Sequence, residues 1–169
     1  MTHAPKLGLA VAATLFVVDQ LVKWLVTGPL AIDSLGDVRE IVSFFDLRFL
    51  PNDGVSLGLF RATGDFTRWL LVALTAAIAI GVAVWMWREK NRADQAALGL
   101  VLGGATGNIL DRGRFGYVVD YADLHFGEWR PFLIFNVADA AITIGVVILL
   151  ARALFARDKP AAVPENVNA

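Results

Sequence analysis

The sequence predicts a membrane-embedded all-α fold: four transmembrane helices with a small β element in the first outer loop. Three observations predict it. Hydrophobic residues fill 57% of the 169 positions and charged residues only 18%, against roughly 45–50% and ~25% in soluble domains. Four apolar stretches approach the ~20 residues that carry a helix across a ~30 Å hydrocarbon layer. Between the first two lies an alternating run of β-forming residues, Ile41-Val-Ser-Phe-Phe-Asp-Leu-Arg-Phe-Leu50.

The first span, about residues 7–26, is apolar except for Thr14, Asp19, Gln20 and Lys23. Lys6 ahead of the apolar run Leu7–Val18 is a signal-peptide pattern, but the run continues through Trp24-Leu-Val26, so the segment reads as a retained span. The second, 69–87, carries no charge. The third, 95–112, is short and glycine-rich and closes on Asp111-Arg112. It crosses only by thinning the bilayer or by using its polar end. The fourth, 132–151, is apolar except for Asn136, Asp139 and Thr143.

Outer loops then cover 27–68 and 113–131. In the first, Ile41–Leu50 reads as one or two strands turned by Pro51-Asn-Asp-Gly54. Tyr117-Val-Val lies at the heart of the second. Residues 1–158 form a single membrane domain, and 159–169, with Pro160 and Pro164, are a disordered cytoplasmic tail. Four spans put both termini on one side. Lys and Arg tally equally on the two sides, but Arg88-Glu-Lys-Asn-Arg92 packs three cations into one short turn. The positive-inside rule therefore places both termini in the cytoplasm.

Composition excludes much chemistry. There is no Cys, and the two His are His3 and His125. Thiolate nucleophiles are absent and a multi-His metal centre is nearly excluded, so no metal or cofactor is expected. The net charge of -1 gives no reason to expect nucleic acid. The serines lack a nucleophile elbow. Carboxylates remain. An acid inside a bilayer costs ~2.5–3.5 kcal/mol or more at the centre and so needs a reason.

Asp19 and Lys23 stand four apart, the favourable order for a helical ion pair. They read as a structural polar pair with Lys23 snorkelling to the interface, and Asp19 is placed to brace a neighbouring helix. Asn108, Asp111 and Arg112 share one face at the end of the third span, after Gly103-Gly104-Ala-Thr-Gly107. The glycines suit close helix packing, and Asp111-Arg112 by itself fits an interfacial ion pair. Asn136 and Asp139, three apart, are expected on one face of the fourth helix. Asp120 lies in an apolar loop, Gly116-Tyr-Val-Val-Asp-Tyr, which brings its carboxylate to the membrane surface. Two acids sharing a site hold one proton between them. Asp120 and Asp139 are therefore candidates for a dyad that activates water against a carbonyl.

Five motifs in order resemble the bacterial lipoprotein signal peptidase (signal peptidase II) family. They are Asp19-Gln-Leu-Val-Lys23, Asn52-Asp-Gly54, Gly103-Gly-Ala-Thr-Gly-Asn-Ile-Leu-Asp-Arg112, Val118-Val-Asp120 and Phe135-Asn-Val-Ala-Asp139. The resemblance runs from Val18 to about Ala151. It implies an aspartic endopeptidase of the bacterial inner membrane, with its active site near the outer face. The implied substrate is a prolipoprotein with a diacylglyceryl-modified lipobox cysteine, cut just before that cysteine. Asp120 and Asp139 would be catalytic. Asn52, Gly54, Gly104, Asn108, Asp111, Arg112 and Asn136 would bind substrate or support the dyad. A β-cradle in the first outer loop, membrane lipid as a partner, a monomeric state and inhibition by globomycin-type cyclic peptides are implied as well.

The chain departs from the family pattern at Asp53 and Leu57, where small and aromatic residues are frequent, and at Ala140, where serine is frequent. Two other readings explain membrane acids. One is a small proton-coupled carrier using Asp19, Asp111 and Asp139; the other is a non-catalytic lipid-binding membrane protein.

Overall fold

A computed structural model describes residues 4–54 and 65–155; Leu57 and the tail 159–169 lie outside the described residues. Four long helices, α1 (Lys6–Thr27), α2 (Asp65–Arg88), α3 (Arg92–Phe115) and α4 (Val137–Phe155), accompany three strands, β1 (Val38–Val42), β2 (Phe45–Asn52) and β3 (Val118–Leu124). α1, α2 and α4 are long and apolar enough to cross a membrane. α3, with 24 residues, matches them in length, at ~36 Å. It packs against all three other helices, which lets its glycines and polar groups face protein. Asn91 caps its start, with Oδ1 accepting from the Ala93 N–H at 2.9 Å. This is the architecture of a multi-pass membrane protein with a small sheet at one end.

The sheet runs β1-β2-β3, antiparallel throughout. β1 and β2 turn at Ser43-Phe44, inside the segment expected to be strand. Pro51 and Asn52 belong to β2, where Pro51 pairs with Val119. Pro51 is tolerated because β1 pairs no further along β2 than Arg48. The third strand comes from the second connecting loop, so the sheet is not confined to the first. The run Val118-Val-Asp-Tyr-Ala-Asp-Leu124 is rich in β-formers, but it is buried almost throughout and shows no alternation of exposure. A core of Val26, Ile32, Phe49, Val119, Tyr121 and Ala122 joins the end of α1 to the sheet.

Element bounds shift for local reasons. α2 opens at Asp65 rather than 69, and α3 runs on to Phe115. α4 opens at Val137 rather than 132, because Phe135 is drawn into a bridge with β3. Ala122 N–H donates to Phe135 O at 2.8 Å and Phe135 N–H to Ala122 O at 3.1 Å. That bridge sets the first turn of α4 beside Asp120.

Candidate active site

Asp120 is buried on β3, and each of its oxygens accepts from an asparagine amide. Oδ2 takes Asn52 Nδ2 at 2.9 Å; Oδ1 takes Asn136 Nδ2 at 2.6 Å. Asn52 is itself oriented by a tight turn, since its Oδ1 accepts from the Gly54 N–H at 2.9 Å. Gly54 has φ +96°, a left-handed conformation that a side chain would strain, and a Cβ there would meet Leu71 Cδ1 at 2.5 Å.

Asp139 lies on the first turn of α4. Its Oδ1 accepts from Asn108 Nδ2 at 2.8 Å and its Oδ2 from the Asn136 backbone N–H at 3.3 Å. Asn136 Oδ1 accepts from the Asp139 N–H at 2.9 Å. This reciprocal pair is a capping box. Asn136 is therefore the cap of α4 and not a residue of its face, which corrects the expectation drawn from their spacing. The cap position frees the Asn136 amide to turn toward β3. One asparagine thus touches both acids.

Behind them lies an ionic cluster. Lys23 Nζ sits 2.8 Å from Asp19 Oδ2 and 2.7 Å from Asp111 Oδ2, and donates to Asn108 Oδ1 at 3.2 Å. Lys23 is only 4% exposed, so it does not snorkel; two carboxylates hold it inside. Asp111 pairs with Lys23 rather than forming an ion pair with its neighbour Arg112. Asp19 does brace another helix: its Oδ1 accepts the Ala138 N–H at the start of α4, at 2.9 Å. A Cβ on Gly104 would lie 2.5 Å from Ala138 O, so glycine at 104 lets α3 close on the turn that carries Asp139.

Arg112 stands beside Gly54, within electrostatic reach of Asp139, Asp120 and Asp111. Among the described residues its buried Nε has no hydrogen-bond partner. That leaves a donor for a bound carbonyl. Its backbone carbonyl accepts from Arg68 Nε at 2.8 Å, which fixes the end of α3 to α2.

Burial, and then repulsion from Asp139, push the Asp120 carboxyl up to about 7, against hydrogen bonds from Asn52 and Asn136 and the attraction of Lys23. The Asp120 carboxyl therefore keeps its proton well above the pH at which a free aspartate loses it. Two apolar-walled hollows meet here. One of about 630 Å³ is lined by Asn52, Asp53, Asp120, Arg130 and Pro131–Ile134, among others; one of about 270 Å³ is lined by Asp139, Phe135, Ala140, Thr143 and Ile144. Phe132 and Leu133 line both. Together the two hollows border both acids, Asp120 in the larger and Asp139 in the smaller.

Sequence reasoning missed several contributors. Gln20 donates to Asp111 Oδ1 at 2.9 Å, and its place inside the Asp19–Lys23 motif was the available signal. Val119 contributes backbone, its N–H reaching Asp111 Oδ2 at 3.3 Å. Arg130 falls in the outer loop 113–131 and Phe132 and Leu133 open the fourth apolar span; neither pattern marks a cavity wall.

Known proteins resemble this chain in sequence and in fold. A family model described as Signal peptidase (SPase) II matches residues 11–155. A lipoprotein signal peptidase of Rhizorhabdus wittichii is 57% identical over 99% of this chain and 95% of its own. One from Sphingopyxis alaskensis is 55% identical over 91% of this chain and 88% of its own. A bacterial membrane enzyme solved by the in meso method superposes with a TM-score of 0.77 at 26% identity, covering 92% of this chain and 93% of that one.

Proposed function

The chain belongs to the signal peptidase II family, and from that premise we propose that Asp120 and Asp139 are its catalytic pair. The protein is a membrane aspartic endopeptidase that removes the signal peptide from prolipoproteins carrying diacylglyceryl on the lipobox cysteine. It cuts the bond just before that cysteine.

The observation that supports the dyad is Asn136, whose side chain donates to Asp120 and whose backbone N–H donates to Asp139. The protonated Asp120 polarises the scissile carbonyl oxygen while Asp139 takes a proton from the attacking water. Collapse of the tetrahedral intermediate breaks the C–N bond; the leaving amine takes the proton that Asp139 received from water, and Asp120 ends protonated as it began. Arg112 Nε, lacking a partner among the described residues, donates to a substrate carbonyl. Asn52 with Gly54, Asn108, Asp111 and Gly104 keep the acids in place. The chemistry calls for neither metal nor cofactor.

The lipid-anchored substrate explains the site's location. Each buried CH₂ holds a lipid in the bilayer by ~0.8 kcal/mol, so the acids must come to the membrane surface. A proton carrier would need polar groups through the membrane's depth; here they gather at the sheet end of α1, α3 and α4. Arg88, Lys90, Arg92 and Arg152 gather at the opposite end, which supports cytoplasmic termini and a sheet facing outward from the inner membrane. The protein acts as a monomer amid membrane lipid, and globomycin-type cyclic peptides occupy the same cleft.

The test is a pair of lipobox peptides, diacylated and non-acylated, offered to the purified protein. Cleavage of the diacylated peptide alone, just before its cysteine, is expected. Equal cleavage of both would overturn the assigned substrate class, and cleavage of neither would overturn the activity.

A further inference from the structure

The larger hollow is electrically uneven. Asn52, Asp53 and Asp120 line one part of its wall, and Arg130 lines another. Arg130 is held by two hydrogen bonds, both from Nε, to the two carboxylate oxygens of Asp123 at 3.2 and 3.3 Å. Asp123 is 1% exposed and also pairs with Arg48 Nε at 3.2 Å. A buried carboxylate thus aims the guanidinium through one nitrogen. The Arg130 side chain remains 43% exposed, and its two terminal nitrogens, which those bonds do not use, can donate to a ligand.

The two hollows indicate which part of a substrate lies there. The smaller one runs along α4, a membrane-crossing helix, and is walled by Phe135, Ala140, Thr143 and Ile144 beside Asp139. It suits what stays in the membrane. The larger one shares Phe132 and Leu133 with it but is otherwise bounded by the sheet and carries Asp53 and Arg130, which the smaller one lacks; it suits the part bound for water. In a prolipoprotein that part is the segment following the modified cysteine.

We propose that Arg130 is a specificity determinant for this segment, favouring an acidic side chain just after the cysteine over a basic one. The inference rests on the signal peptidase reading of the dyad. Asp53 opposes it from the cavity wall next to Asn52, so the preference measured is the balance of the two charges.

Three diacylated lipobox peptides differing only in Asp, Asn or Lys after the cysteine give the test. They are cut in uncharged detergent, so that no lipid phosphate competes, and kcat/KM for each is referred to the Asn peptide with the same enzyme. The wild-type protein is expected to favour Asp over Lys about two- to fivefold, the range of a partly exposed ion pair. Arg130→Gln should bring the ratio toward one, Arg130→Glu should invert it, Arg130→Lys should keep its sense, and Asp53→Asn should enlarge it. Arg48 still pairs Asp123 in these Arg130 variants, and cooperative thermal unfolding of each purified variant establishes that it is folded before its ratio is read. A ratio unchanged in Arg130→Gln and Arg130→Glu overturns the inference while leaving the dyad intact. Failure to cut any of the three peptides overturns both.

Discussion

The two ends of α3 each carry an ion pair to a neighbouring helix, and the pairs differ in everything but charge. At the sheet end Asp111 meets Lys23 of α1, with side chains 1% and 5% exposed. At the opposite end Asp94 meets Arg152 of α4, with side chains 20% and 35% exposed. Water can replace either partner of the second pair. It cannot reach the first, where Lys23 also neutralises Asp19 and orients the Asn108 amide whose other end holds Asp139. The comparison teaches that burial, rather than the presence of opposite charges, is what couples an ion pair to the chemistry. A buried pair commits its neighbours to one arrangement, because any rearrangement leaves a charge without solvent.

The largest effect that tests this belongs to the acids themselves. Asp120→Asn and Asp139→Asn should each lower kcat/KM on a diacylated lipobox peptide by about a thousandfold or more, within or beyond the range for losing a general acid or base. The purified variants should still unfold cooperatively on heating. Substantial turnover by either one would remove that residue from the pair.

Next in size is the contrast between the two ends of α3. Lys23→Met strands Asp19 and Asp111 and should cost about 3–5 kcal/mol of stability, and the protein that remains folded should turn over more slowly because Asn108 has lost its anchor. Arg152→Ala should leave both melting temperature and rate close to wild type. If the two variants melt alike, burial does not separate the pairs.

A smaller effect follows from Asp120, whose carboxyl is raised from 3.8 to about 7. In the proposed mechanism Asp120 acts in its protonated form, so the rate should fall about tenfold per unit as pH rises above about 7. For stability, a folded value above the unfolded one gives stabilisation that is complete below about 3.8 and lost as pH rises through about 7. Asp139→Asn removes the repulsion but not the burial. Its melting temperature should therefore change less between pH 6 and 8 than that of the wild type. An equal slope in both would mean that the two carboxylates do not sense each other.

Much of this was legible in the chain itself. Apolar length and composition fixed the helices to within a few residues, because the cost of exposing a backbone to lipid leaves little choice. Elimination left the carboxylates, and Asp120 and Asp139 stood out as acids placed at a membrane's edge. Three features were not legible. β3 could not be read, since a strand buried on both faces loses the alternation that announces it. The double role of Asn136 depends on the bridge between Phe135 and Ala122, which spans thirteen positions and leaves no periodic trace. The burial of Lys23 depends on Asp111, distant in sequence and adjacent only after α1 packs on α3.

The sequence alone determined which segments enter the membrane and which residue types are left to do chemistry, because hydrophobic transfer and side-chain inventory are local properties. Only the tertiary structure decided which acid meets which amide, which cation is withdrawn from water, and which arginine faces the cavity. Those outcomes depend on distances between segments that no local property encodes.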